Sequence, residues 1–195
     1  MSKTALIALL IAASTFAGSA QAGLIGVKSV VITNARSDYL QVAEFQAFET
    51  GTGKNVALAS AGATASTTSG WWDGNSTPGK AIDGAYSDLS FPNMYHNANW
   101  TTGNLTITLN GTHELDSFSI YGRSDCCSTR DVYNLSFYGA SGDLLYTAPS
   151  ANAANNSHMV NVLLPNTDVP EPASVALMGL GLAGLAARRK RQARG

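Results

Sequence analysis

Cys126 and Cys127 are the only cysteines in the chain, and they stand side by side in the stretch GRSDCCSTRD (122–131), between Arg123 and Arg130. A guanidinium offers planar, fixed donors and no acceptor. Two of them converging on one point suit a ligand with adjacent oxygen acceptors, such as a sugar diol and a ring oxygen. Asp125 lies between the arginines and can bridge both, holding them in place. The same residues could equally form a salt-bridge cluster that ties a loop down.

The cysteines have three fates open to them: pairing with each other, pairing between chains, or remaining free. Neighbouring Cα atoms are about 3.8 Å apart, below the usual disulfide range of about 4.4–6.8 Å. A vicinal bond would close an eight-membered ring with a flat apolar sulfur face. It would add almost no loop-closure stability, since the loop it closes has almost no length. Two small buried hydrophobes are the plainer alternative. Zinc would need further ligands, and His96, His113 and His158 have no metal-type spacing.

The elements around this stretch read as β. The segments 27–33, 39–48, 104–111, 115–122, 133–139, 143–147 and 158–164 are rich in β-branched and aromatic residues. Leu105, Ile107 and Leu109 alternate cleanly with Thr106 and Thr108. Leu115 is out of phase with Phe118 and Ile120. Gly, Asn, Asp and Ser separate the segments, as turns require. About seven short strands and no amphipathic helix predict an antiparallel β-sandwich or jelly roll. Residues 51–103 lack alternation but hold Trp71, Trp72, Phe91, Tyr95, His96 and Trp100, so they read as ordered loops at one end of the sandwich.

The two ends of the chain set its compartment. Residues 1–22 carry Lys3, an apolar run and small residues ending Ala20-Gln21-Ala22, the pattern of a secretory signal peptide cut between Ala22 and Gly23. At the other end Val169-Pro170-Glu171-Pro172 opens an apolar stretch over about 173–187, followed by a basic tail over 188–194. That stretch is short for a membrane span of about 20 residues. The whole tail (169–195) resembles the PEP-CTERM sorting signal of Gram-negative bacteria. The resemblance implies export, transient anchoring in the inner membrane through the C-terminal helix, cleavage by an exosortase after signal peptidase has acted, and release to the cell surface. Between the ends, 23–168 makes one domain. Six basic and twelve acidic residues there leave a net charge of −6. That balance offers no basic face for nucleic acid or an anionic membrane.

His96, Arg123, Asp125 and Arg130, with the Cys126–Cys127 pair, resemble the fucose-binding motif of F-type lectins. Twenty-six residues separate His96 from Arg123, as in that motif. The resemblance spans roughly 27–148 and includes the stretches at 55–66 and 80–88, with Trp100 in the place of the family's core tryptophan. It implies an all-β fold, a discoidin-like (galactose-binding-like) β-sandwich jelly roll. It also implies a vicinal disulfide, Cys126–Cys127, packed against an apolar edge of the sugar. His96, Arg123 and Arg130 would hydrogen-bond the hydroxyls and ring oxygen. A structural calcium is implied too, held by the carbonyls of Lys80, Ala85, Asn93 and Ala43 and the carboxylates of Asp83 and Glu44; oxygen-only ligation suits calcium. The segment 39–48, which normally closes the family's domain, here precedes 55–66.

The expected function is therefore exported carbohydrate binding, lectin-like, directed at fucose or a galactose-type glycan or at exopolysaccharide. The alternative is a structural surface or matrix protein that keeps the fold without a working sugar site. Glycosidases need two carboxylates flanking the bond, and no nucleophile–base motif stands out, so an enzyme is not expected.

Overall fold

The computed structural model describes residues 23–100 and 103–166. The expected signal peptide, its cleavage junction at Ala22, and the sorting tail with its apolar helix lie outside the described residues. Nine strands follow in order: β1 (Leu24–Asn34), β2 (Gln41–Val42), β3 (Glu44–Glu49), β4 (Thr64–Ser66), β5 (Tyr95–His96), β6 (Asn104–Tyr121), β7 (Val132–Tyr138), β8 (Leu144–Asn152) and β9 (Met159–Leu163). Short 3-10 turns occur at Ala59–Ala61, Pro78–Ile82 and Ser128–Arg130, and no α-helix is present among the described residues. The fold is all-β, and its strand pairs are antiparallel.

The 18-residue β6 organises the molecule. Its first half lies between β1 and β4, with Ile107 opposite both Val30 and Ala65. Its second half lies between β3 and β9, with Phe118 opposite Ala47 and Val162. The exposed Asn110-Gly111-Thr112 step divides the halves, and Gly111 takes φ 97, which few other residues tolerate. Two strands were expected here, over 104–111 and 115–122; one continuous bent strand is found. The phase slip at Leu115 is absorbed by a register shift between Phe48 and Glu49, opposite Ser117 and Leu115. β1 follows the bend through its own shifts between Leu24 and Ser29.

Because β6 pairs with four strands, β1, β3, β4 and β9, its apolar face closes one core. Phe118 sits between Phe45 of β3 and Phe137 of β7, at ring-centroid distances of 6.0 and 5.5 Å. Val30, Ile32, Leu105, Ile107, Leu135 and Ile120 complete the surroundings.

Two other expectations change. The segment 39–48 is not one strand: it breaks at Ala43, so β2 pairs with β5 while β3 pairs with β6. The region 51–103 is not loops alone, since it supplies β4, β5 and two 3-10 turns. Trp100 does not enter the core; it is 60% exposed, and the large buried rings are Tyr95, Tyr133, Phe45, Phe118 and Phe137. Its indole N–H instead donates to the Ser37 carbonyl at 3.2 Å, and its ring lies beside Tyr39.

Replacing Phe118 by Ala leaves a void between Phe45 and Phe137. Such a change costs about 3–5 kcal/mol. Urea denaturation of Phe118→Ala should show that loss with an unchanged slope; a loss under about 1 kcal/mol would mean that the core does not depend on this ring.

Candidate functional site

His96 is placed by the β2–β5 ribbon, opposite Gln41. The next residue locks the ribbon's end. The Asn97 side chain accepts from the Leu40 N–H at 2.8 Å, and its backbone N–H donates to the Leu40 carbonyl at 3.0 Å. Gly103 is needed beside it, because a Cβ there would lie 2.2 Å from the Asn97 amide nitrogen. The His96 ring is anchored by Nδ1, 2.9 Å from the Asn97 carbonyl. A carbonyl only accepts, so Nδ1 carries the hydrogen and Nε2 keeps the lone pair. Burial, with the nearby arginines, lowers the imidazole pKa and keeps the ring neutral near pH 7.

The two arginines lie on the connection from β6 to β7, residues 122–131, and Asp131 pins it. This fully buried carboxylate accepts from the Arg123 N–H at 2.8 Å, the Gln41 amide at 2.9 Å and the Tyr133 hydroxyl at 3.2 Å. Gly122 makes room for it; a Cβ there would stand 2.3 Å from Asp131 Oδ2. At the tip, Cys127 adopts φ 59 and its carbonyl accepts from Gln41 Nε2 at 3.1 Å and from the Arg130 N–H at 3.0 Å. Gln41 therefore ties both arms of the connection to the ribbon that carries His96.

Each arginine has its own carboxylate. Arg123 donates through Nε and Nη2 to the two oxygens of Asp125, at 2.7 and 2.8 Å. This fork holds Asp125 down at about 2. Asp125 also accepts from the Phe91 N–H at 3.2 Å, and the Arg123 guanidinium lies 5.2 Å from the Phe91 ring centroid. Arg130 faces Asp38 at 3.4 Å and lies 5.4 Å from the Tyr39 centroid. The expected bridge from Asp125 to both arginines is thus corrected. The Ser128–Arg130 turn directs Arg130 to the β1–β2 connection, where Asp38 meets it.

His96, Arg123 and Arg130 line one open cavity of about 350 Å³, walled by Tyr39, Trp72 and Phe91. The Tyr39 and His96 ring centroids are 5.3 Å apart, and Phe91 and Trp72 lie 6.0 and 5.9 Å from the imidazole. Two paired arginines and a neutral histidine leave the cavity with little net charge. It still presents unused guanidinium donors, one imidazole acceptor and apolar faces. That set matches a small, uncharged, polyhydroxylated ring.

The Cys126–Cys127 disulfide is present, with Cα atoms 3.8 Å apart. Both residues are exposed rather than buried, and neither is among the cavity's six lining residues. Asp38, Tyr39, Trp72 and Phe91 also belong to the site, beyond the residues expected there. The aromatic richness of 71–100 was the one signal; Asp38 and Tyr39 had none.

Of the residues expected around calcium, Glu44 is the most unusual. It is 0% exposed, and burial with the Asp83 charge pushes its carboxyl up to about 8. Oε2 accepts from the Gly84 N–H at 3.3 Å, while Oε1 is buried with no hydrogen-bond partner. The adjacent turn holds Asp83, whose Oδ1 accepts from the Ala85 N–H at 2.9 Å and whose Oδ2 lies 3.6 Å from the Lys80 ammonium. Ala43 directly precedes Glu44. The Asn93 side-chain amide donates to Asp88 Oδ2 at 2.7 Å. No group of three or more His, Cys, Asp or Glu able to hold a metal occurs among the described residues.

The PEP-CTERM protein-sorting motif matches residues 168–191. The protein is therefore an exported one, sorted by an exosortase to the surface of a Gram-negative bacterium or beyond. No curated protein and no solved structure matches the chain.

The buried carboxyls give a pH signature. Glu44 is raised from an ordinary 4.5 to about 8, and Asp131 from 3.8 to about 6. A carboxyl raised on folding stabilises fully below its unfolded value, and that contribution is lost as pH rises through the folded one. Without divalent cations the melting temperature should fall between pH 6.5 and 8.5, where Glu44 is the group that ionises. The loss corresponds to on the order of 5 kcal/mol over the whole Glu44 window, from pH 4.5 to about 8. Glu44→Gln should flatten the profile above pH 6.5; an unchanged slope in that variant would remove Glu44 as its source.

Proposed function

We propose that this exported protein is a carbohydrate-binding module of the F-type lectin kind, on a discoidin-like jelly roll, that recognises fucose or a related galactose-type sugar. The observation that carries the reading is that His96, Arg123 and Arg130, distant in sequence, line one aromatic-walled cavity. In use, a sugar hydroxyl donates to His96 Nε2 and accepts from a guanidinium at once, which a hydroxyl can do and a carboxylate cannot. Asp125 and Asp38 hold the arginines in position and cancel their charge, so the site favours a neutral sugar over an acidic one. Tyr39, Trp72 and Phe91 supply faces for the C–H side of the ring. The exposed Cys126–Cys127 ring, on the loop joining the two arginines, would meet the sugar from the rim. The partner is a fucosylated or galactose-type glycan, or an exopolysaccharide that displays one. The chemistry is binding without turnover.

The exported protein should be retained on fucose-agarose and eluted by free sugar. His96→Ala and Arg123→Ala should each weaken binding by about 10–100-fold, the loss expected for a charge-assisted or buried hydrogen bond. Affinity should hold at neutral pH and fall in acid, below the usual histidine range, as His96 Nε2 becomes protonated. Calcium-loaded protein that binds no sugar would overturn the reading in favour of a structural surface or matrix protein.

A structural calcium at Glu44 belongs to the same proposal. The partnerless Glu44 Oε1 and the nearby Asp83 are oxygen donors that a hard cation would satisfy. Glu44, Asp83 and the carbonyls of Lys80, Ala85, Asn93 and Ala43 would hold it. Bound calcium would keep Glu44 ionised and fix the turn after Pro78–Ile82. At pH 8, calcium at about 100 times its dissociation constant should stabilise by ~2.7 kcal/mol, several degrees in melting temperature. Glu44→Gln should abolish the shift; equal stabilisation of both proteins by calcium would exclude this site.

A further inference from the structure

The three tryptophans of the chain, Trp71, Trp72 and Trp100, are all exposed. Trp72 walls the cavity. Trp100 stands outside the lining, yet it is joined to the cavity through Tyr39, whose ring centroid lies 5.5 Å from Trp100 and 5.7 Å from Trp72. Large apolar rings left in water are costly and usually mark a contact surface. Trp100 is also not a loose ring. One edge is tethered by the bond from Nε1 to the Ser37 carbonyl, and one side is braced by Tyr39. Ser37 itself takes φ 52, a conformation serine seldom adopts, at the point where its carbonyl meets the indole. An exposed aromatic held in one orientation loses little freedom on binding and presents a ready platform.

We propose that the Trp100 indole, with Tyr39 beneath it, forms a second subsite that stacks the sugar ring adjoining the one in the cavity. The ligand is then a glycan of at least two linked neutral sugars rather than a free monosaccharide. The terminal ring occupies the pocket of His96, Arg123 and Arg130, and the next ring lays its C–H face on Trp100. This rests on the carbohydrate reading above. An aromatic platform suits that second ring because stacking tolerates varied hydroxyl patterns. Recognition is then selective for the terminal sugar and permissive for the next.

The test uses the exported full-length protein and titration calorimetry. The probes are L-fucose, D-galactose, and the disaccharides in which each is linked to a second galactose. The wild type should bind the disaccharide of its preferred sugar about tenfold more tightly than the monosaccharide. Trp100→Ala should erase that difference and leave monosaccharide affinity unchanged, and Trp100→Phe should restore part of it. Equal affinity of the wild type for monosaccharide and disaccharide, or a preference that survives Trp100→Ala, overturns the second subsite while the sugar pocket stands. Failure of every probe to bind the wild type overturns the pocket and the subsite together.

Discussion

The site depends on one buried carboxylate. Asp131 lies at the start of β7 and has no access to water, yet it holds three donors from three parts of the chain. Each donor does a different job. The Arg123 N–H sets where the arginine connection leaves β6. Gln41 ties that connection to the β2–β5 ribbon, and therefore to His96. The single Tyr133 hydroxyl hydrogen is shared with the Gln41 carbonyl at 2.7 Å, which joins β7 to the same ribbon. An unpaired carboxylate in this place would be costly, so the burial of Asp131 and the convergence of the three segments require each other. Gly122 is the steric counterpart of the arrangement.

From this anchor the electrostatics of the cavity follow. The domain is acidic, and two of its six basic residues stand at the site. Left unpaired, they would make it an anion trap. Asp125 and Asp38 each meet one guanidinium, and burial keeps His96 neutral. What survives is directional hydrogen bonding with little field. On the carbohydrate reading proposed above, such a site would discriminate by the placement of hydroxyls rather than by charge. Over a surface of net negative charge it would disfavour polyanions further.

The sequence disclosed the polar half of this arrangement and little of the apolar half. That His96, Arg123 and Arg130 meet in one cavity was expected from the resemblance of their types and spacing to a known sugar-binding motif. The β class was legible because alternation survives in 27–33, 104–111 and 133–139. The bend in β6 was not, since its two arms alternate in different phases and only a register shift on a partner strand reconciles them. Asp38 and Tyr39 were illegible for a different reason. They lie on the β1–β2 connection, which reaches the cavity because β2 pairs with the strand that carries His96. Trp100 was misplaced because the resemblance put it where the family has a core tryptophan, and nothing in the local sequence shows that a serine carbonyl and a tyrosine ring hold it outside.

The vicinal disulfide has its place in the same economy of constraints. It closes no loop of any length, so chain-entropy stabilisation is not its contribution. It sits exposed at the tip of the connection pinned below by Asp131. Its ring restricts the backbone at the residue whose carbonyl receives both Gln41 and the Arg130 N–H. Cys127 is in the left-handed region there, where a glycine would be freer but would leave the tip loose. Asp131 fixes Arg123 from the buried end, and the covalent ring fixes the approach to Arg130 from the exposed end. Two arginines on a ten-residue connection, with only the short Ser128–Arg130 turn as regular structure, then keep a set separation, which an exposed site with rigid donors requires.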